Sequence, residues 1–302
     1  MRTIVASAAL ALALSTLVVP DALAGASRIP SGSRAPAGVL QQAEMSMIVT
    51  GALDIDAHGR VSAITLEPSR SLSDTLEDFV RQQVSSWQFE PGHEGAEVAA
   101  AAMPMRLKLV SRNDGNGGAV VRISSAHFGD DSSEPVEHRL TKKHQTPPRY
   151  PLDVFSMGGA GEVYLLLKIG PDGKVIDTAA TRVNLTRAGN ERTMERVRQR
   201  LAQAAVDASR GWEYSVPTAG PKAGEPYWLV RVPVNFEISD SRQAGRLDES
   251  QWRPYIPGPR LDVAWYQPAG KDNALAVEAM PEGEPMLEGQ HNGPRLSTSL
   301  DG

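Results

Sequence analysis

Met103, Met105, Leu107 and Leu109 alternate with Pro104, Arg106 and Lys108, the period of two that marks a strand with one buried face. Val163, Leu165, Leu167 and Ile169 share a second such face, and Val230, Val232, Val234, Phe236 and Ile238 a third. Between these strands the period changes. Leu72, Leu76, Phe79, Val80 and Val84 recur at helical spacing opposite Glu77, Asp78, Arg81 and Gln82, with Ser71, Ser73 and Asp74 as N-cap candidates. Met194, Val197, Leu201, Ala205 and Ala208 form a second helical stripe, starting near Asn190.

The order of these signals repeats. Residues 47–56 and 61–66 read as two hairpin arms around Ala57-His58-Gly59, and Val163 to Ile169 and residues 175–180 as two more around Pro171-Asp172-Gly173. A glycine in each turn supplies the positive φ that a tight hairpin needs. A helix follows each hairpin, then a tryptophan (Trp87 with Phe89, Trp212 with Tyr214), then a strand containing proline, Pro104 or Pro233. Large aromatics between helix and strand are expected to anchor the core, so Trp87, Phe89, Trp212 and Tyr214 are assigned a structural role. The pattern predicts an α+β protein of two modules, each a small antiparallel sheet packed on one helix. Turn glycine and tryptophan are 28 residues apart in the first module and 39 in the second, so the second carries a larger loop.

The flanks read differently. Arg2, an apolar run over residues 4–19 and Ala22-Leu23-Ala24 describe a secretory signal peptide at 1–24. The run is shorter than the ~20 residues of a spanning helix; left uncleaved, it would be the chain's one contact with a membrane. Residues 25–38 read as a linker, 39–111 as the first module, 112–144 as a connecting segment in which residues 120–128 suit one more strand, and 145–239 as the second module. Residues 240–302 hold 10 acidic and 6 basic residues. They read as a tail that docks near 252–266 through Trp252, Pro254, Tyr255 and Ile256, and is disordered beyond.

Composition narrows the function classes. The net charge of −5 gives no reason to expect a nucleic-acid partner, and the absence of cysteine excludes disulfides and thiolate chemistry. The six histidines are scattered, with no ligand pair on one helix face. Asp114-Gly115-Asn116-Gly117 opens like a calcium loop, but Ser125 stands where its glutamate is needed. No nucleophile elbow or glycine-rich phosphate loop is present. No cofactor and no metal are expected, and carboxylates are the one chemistry left for an enzyme.

The second module resembles the C-terminal domain of the TonB family. The resemblance rests on Tyr150-Pro151, Gly161-Glu162-Val163, Asp172-Gly173-Lys174-Val175, Trp212-Glu213-Tyr214 and the closing strand at residues 232–238. The first module looks like a degenerate copy, which keeps Gly59-Arg60-Val61 and Trp87-Gln88-Phe89-Glu90-Pro91-Gly92 but lacks the Tyr-Pro opening. The resemblance implies a non-catalytic periplasmic protein that binds an outer-membrane TonB-dependent receptor by strand addition and serves transport across the outer membrane. Carried over as protein-binding residues are Gln145, Arg149, Tyr150 and Pro151, with Val230, Arg231, Val232, Val234 and Phe236 of the closing strand. A homodimer is compatible with the same edge. The long Pro-Lys/Pro-Glu spacer of the family is missing, so the likeness is to its binding end. A structural or assembly role in the envelope is the alternative, and an enzyme the third class.

Overall fold

The computed structural model describes residues 43–90, 102–114, 118–129, 135–237, 248–267, 277–288 and 295–298, with the backbone of 17–20. The linker at 25–38 and all but four residues of the leader lie outside the described residues.

Two antiparallel sheets share one chain logic. The first unit contains β1 (Leu17–Pro20), β2 (Glu44–Ile55), β3 (Val61–Leu66), α1 (Asp74–Ser85), β4 (Phe89–Glu90), β5 (Met103–Asn113) and β6 (Gly118–Phe128). Its strand order is β1-β6-β5-β2, with β3 on the far border of β2. The second contains β7 (Thr141–His144), α2 (Leu152–Ser156), β8 (Gly161–Ile169), β9 (Val175–Leu185), α3 (Glu191–Ser209), β10 (Glu213–Ser215) and β11 (Trp228–Phe236). Here β11 pairs with β8 and β8 with β9. The succession β5-β2-β3 in one unit is thus matched by β11-β8-β9 in the other.

The hairpin glycines explain why the two turns coincide in detail. Gly59 and Gly173 both have φ of +78°, and a Cβ would stand 2.0 Å from the Phe89 carbonyl oxygen at one and 2.1 Å from that of Tyr214 at the other. Each glycine carbonyl accepts the amide of that same aromatic residue at 2.8 Å. Only glycine meets both demands, the left-handed backbone and the close approach. Helix α3 is capped by Asn190, whose Oδ1 accepts the Thr193 amide at 2.9 Å. Ser73 holds the same place before α1 without a side-chain cap bond.

Each helix buries its apolar stripe on its own sheet. Leu76, Phe79, Val80 and Val84 pack with Met47, Val49, Leu53, Leu107, Leu109, Trp87 and Phe89. Met194, Val197, Leu201 and Ala205 pack with Val163, Leu165, Leu167, Val230, Val232, Val234, Phe236, Trp212 and Tyr214. At ~25 cal/mol per Å² of apolar surface removed from water, these two clusters are the main source of stability.

Two differences from the sequence reading concern the flanks. Strand β6 matches the strand read at residues 120–128, but it does not stand in a connector: it pairs with β5 over nine residue pairs and belongs to the first sheet. The tail, expected to be disordered past residue 268, contributes a 3-10 turn at Val277–Ala279, β13 (Met286–Leu287) and β14 (Arg295–Leu296), after β12 (Arg253–Tyr255). β12 joins the border of β2, the next residue Ile256 bridges to Leu185 at the end of β9, and β13 joins β11. Short backbone ladders and a few buried side chains, among them Tyr255, Ile256, Val277, Met280 and Met286, hold this stretch, which overall composition does not report.

Candidate functional site

Strand β11 brings most of the sequence-predicted residues together. It runs beside β8 from Trp228↔Ile169 to Phe236↔Gly161. Val230, Val232, Val234 and Phe236 point into the second core and are 6% exposed or less. A partner could reach these residues through their backbone, not their side chains. The opposite face carries Arg231, Pro233 and Asn235.

The outer border of β11, read as free from the sequence, is already paired. Val230 faces Leu287 and Arg231 faces Met286, antiparallel. The Glu288 amide donates to the Leu229 carbonyl at 2.7 Å, and the Gly283 amide to that of Pro233 at 2.9 Å. Pro233 has no amide hydrogen to offer in return, so the ladder is interrupted there. In the first unit the corresponding strand β5 is interior, with β2 on one side and β6 on the other.

Side chains fix the register of the segment that lies on β11. Arg231 is 3% exposed; its Nε donates to Glu288 Oε2 at 2.5 Å and its second nitrogen to the Tyr266 hydroxyl at 3.0 Å. Tyr266 in turn donates to Glu288 Oε1. Met286 packs with Tyr164, Val277 and Met280, and Leu287 with the second core. Lys142 Nζ lies 2.6 Å from Glu284 Oε1.

The Tyr-Pro stretch approaches β11 at two points. A Cβ on Gly283 would be 3.8 Å from Gln145 Oε1, which sets Gln145 beside the bound tail. Tyr150 lies edge-on to Phe236, centroids 5.7 Å apart, and to Phe155 at 6.1 Å, and its hydroxyl donates to the Gly159 carbonyl. Burial raises its pKa, with Arg187 lowering and Glu237 raising it further. Pro151 caps α2, its carbonyl accepting the Phe155 amide. Arg149 is exposed. Gln145 and the β11 border therefore share Gly283 of the tail as a neighbour, while Tyr150 and Pro151 serve local packing and Arg149 is exposed.

A second polar cluster joins the two units. Lys108 of β5, 4% exposed, reaches Glu278 Oε2 at 3.1 Å and the Tyr164 hydroxyl at 3.4 Å, and lies 4.4 Å from the centroid of the Tyr255 ring. Glu278 also accepts from Arg182 at 2.5 Å and Tyr255 at 3.0 Å. Burial pushes the Glu278 pKa up, but Lys108 and Arg182 together hold it below the ordinary carboxylate value. Beside this cluster lies a cleft of about 70 Å³ whose lining includes Glu162, Glu237, Glu249 and Glu278. Glu237 pairs with Arg253 and Glu249 with Arg106, and Tyr164 donates to Glu162. Burial raises Glu162, opposed by Lys108. Carboxylates tied in this way hold the units together and are poorly placed to exchange protons with a substrate.

Sequence reasoning missed Lys142, Tyr266, Glu278, Met286 and Glu288. One faint signal existed: Glu284, Met286 and Glu288 alternate, a pattern too short to read as a strand.

Over 101 residues the chain is 34% identical to the protein TonB of Xanthomonas campestris pv. campestris, equally in strain B100 and strain ATCC 33913. The match covers 33% of this chain and 39% of the relatives, so the chain spans about two fifths of the curated proteins it resembles. It supports a TonB-like domain within the chain. No family model matches, and no solved structure matches.

Proposed function

We propose that the chain is a non-catalytic protein-binding protein of the periplasm that takes up an extended segment of a partner on the β11 border and serves TonB-dependent transport across the outer membrane. The observation that carries this reading is a border that accepts a strand, with Gln145 beside it, in a chain that resembles TonB over 101 residues. Strand addition draws affinity from main-chain hydrogen bonds and specificity from the side chains alongside. β11 offers both, with carbonyls that accept from the tail and Arg231 paired there with the Glu288 carboxylate, the place a partner's acid would take. The carboxylates of the inter-unit cleft are each engaged by a cation or a hydroxyl, which favours a binding role over catalysis.

Titration of the full chain with N-terminal peptides of TonB-dependent receptors tests the proposal. Binding is expected, with Gln145→Ala weakening it about five-fold, the effect of one lost neutral hydrogen bond. Gln145 is the better probe, because Tyr150 supports the core and its replacement would also unfold protein. Failure of every receptor peptide and plug domain to bind removes the transport role.

A role in envelope assembly is the second reading, favoured by the path of the tail. Residues 253–256 pair first with β2 and then with β9, tying both units into one body as an assembly part requires. A partner recovered by cross-linking in intact cells that contains no receptor would favour it.

A further inference from the structure

Residues 283–288 lie on the same border that the proposed reading gives to a visiting strand, and the inference rests on that reading. The geometry points to these residues as a tethered occupant of a strand-acceptor site, whose preferred ligand is an acidic extended peptide. The class is specified by what the occupant presents: two carboxylates four residues apart, flanking a proline and two apolar side chains, in Glu284-Pro285-Met286-Leu287-Glu288.

Each feature of the occupant has a counterpart on the second unit. Glu284 meets Lys142 and Glu288 meets Arg231, so both charged contacts join an acid of the tail to a base of the sheet. Met286 packs beside Tyr164, and Leu287 packs on the edge of the second core. Arg231 sets the strictest condition. Its side chain is 4% exposed, and a buried guanidinium without an anion is strongly disfavoured. Any segment that displaces the tail must therefore bring an acid to the same place.

The occupant is also built to leave. Two residues of β13 pair with β11, against nine pairs on the other border of the strand. Tethering gives it an effective concentration in the millimolar range. If the border were open for about one per cent of the time, a partner would bind about 100-fold more weakly than to the bare site. The tail then sets a threshold that a weak or non-acidic peptide does not pass.

The chain has no cysteine, so Val230→Cys with Leu287→Cys, Cα partners across β11 and β13, would form a single disulfide. The probe is a fluorescein-labelled peptide with the sequence of residues 281–289, followed by anisotropy on the full-length variant. Reduced protein is expected to bind at least tenfold more tightly than oxidised protein. Glu288→Pro, in an otherwise unaltered chain, removes the amide that bonds Leu229 and the carboxylate that pairs with Arg231. It is expected to bind the peptide at least tenfold more tightly than the unaltered chain. Equal affinities in the two redox states, or no gain in Glu288→Pro, overturn the tethered occupant. A peptide with lysine in place of Glu284 and Glu288 is expected not to bind, and equal binding overturns the acidic class. Receptor peptides complete the comparison: if this chain's own peptide binds the opened border and they do not, the occupant stands and the transport role falls. If receptor peptides bind regardless of the lock, the transport role stands and the occupant falls.

Discussion

Strands β5 and β11 hold the same position in their sheets, but their outer borders are closed by different means. β5 is covered by β6, its neighbour in sequence, over nine residue pairs; β11 is covered by β13, some fifty residues further along, over two. Closing a long loop costs more entropy than closing a short one, and the shorter ladder returns fewer hydrogen bonds against that cost. One border is thus a permanent part of its sheet, and the other a contact that can exchange. Two units that share a three-strand succession can differ in function through who occupies one edge.

The largest test of this contrast removes the anchor of the tail. Glu278 lies between the sheets and neutralises Lys108 and Arg182, so Glu278→Ala leaves buried charge without a partner. A loss of about 3–5 kcal/mol is expected in urea denaturation. Hydrogen exchange should speed up first along the β11 border and leave the β5–β6 ladder protected. Lys108→Met combined with Glu278→Leu should recover only part of the loss, because the Lys108 and Glu278 charges leave together while Arg182 keeps its charge and loses its carboxylate. A loss below about 1 kcal/mol, the level of an exposed pair, would mean that the tail is not anchored here.

The next test concerns what the units share. Alanine at Gly59 or Gly173 forces a side chain into left-handed backbone against a carbonyl 2.0 or 2.1 Å away. Each substitution is expected to cost about 1–3 kcal/mol, with similar midpoint shifts in thermal denaturation. If one is tolerated and the other is not, the likeness of the two hairpins ends at their backbone trace.

Much of this plan was legible in the residues. The paired turns, the two helical stripes, the aromatics after each helix and the closing strands all follow from periodicity and glycine placement, which are local. What escaped is non-local. Lys108 reads as the polar half of an alternating strand, and it is buried because Tyr164 of the second sheet, with Tyr255 and Glu278, covers that face. Residues 283–288 have the composition of a loop, and their place follows from two ladder pairs and two ion pairs with residues far away in sequence. The candidate site suffered for the same reason: Gln145 and Arg231 could be named, but not their shared neighbour in the tail.

The smallest effect, and the one most specific to the second unit, is its response to pH. Glu278 has a folded-state pKa below its ordinary value of 4.5, because Lys108 and Arg182 outweigh the burial that would raise it. It binds fewer protons folded than unfolded, so its stabilisation is complete above 4.5 and is lost as the pH falls through the folded value. Glu162 is raised above 4.5 by burial, against the pull of Lys108, and Glu237 is raised by burial against Arg253. Both take up a proton more readily in the folded state, so their penalty fades as the pH falls from their folded values to 4.5. The two limbs oppose each other, and for these three carboxylates the change of sign falls at their common ordinary value of 4.5. Protection of the β11 border relative to β5 is expected to rise gently on acidification toward that point and to fall below it. Glu162→Gln removes one source of the upper limb and leaves the lower one, since Glu278 keeps both its cations. An upper limb unchanged by Glu162→Gln would show that the acidic cleft is not linked to the tail, and the difference between the two borders would then rest on ladder length alone.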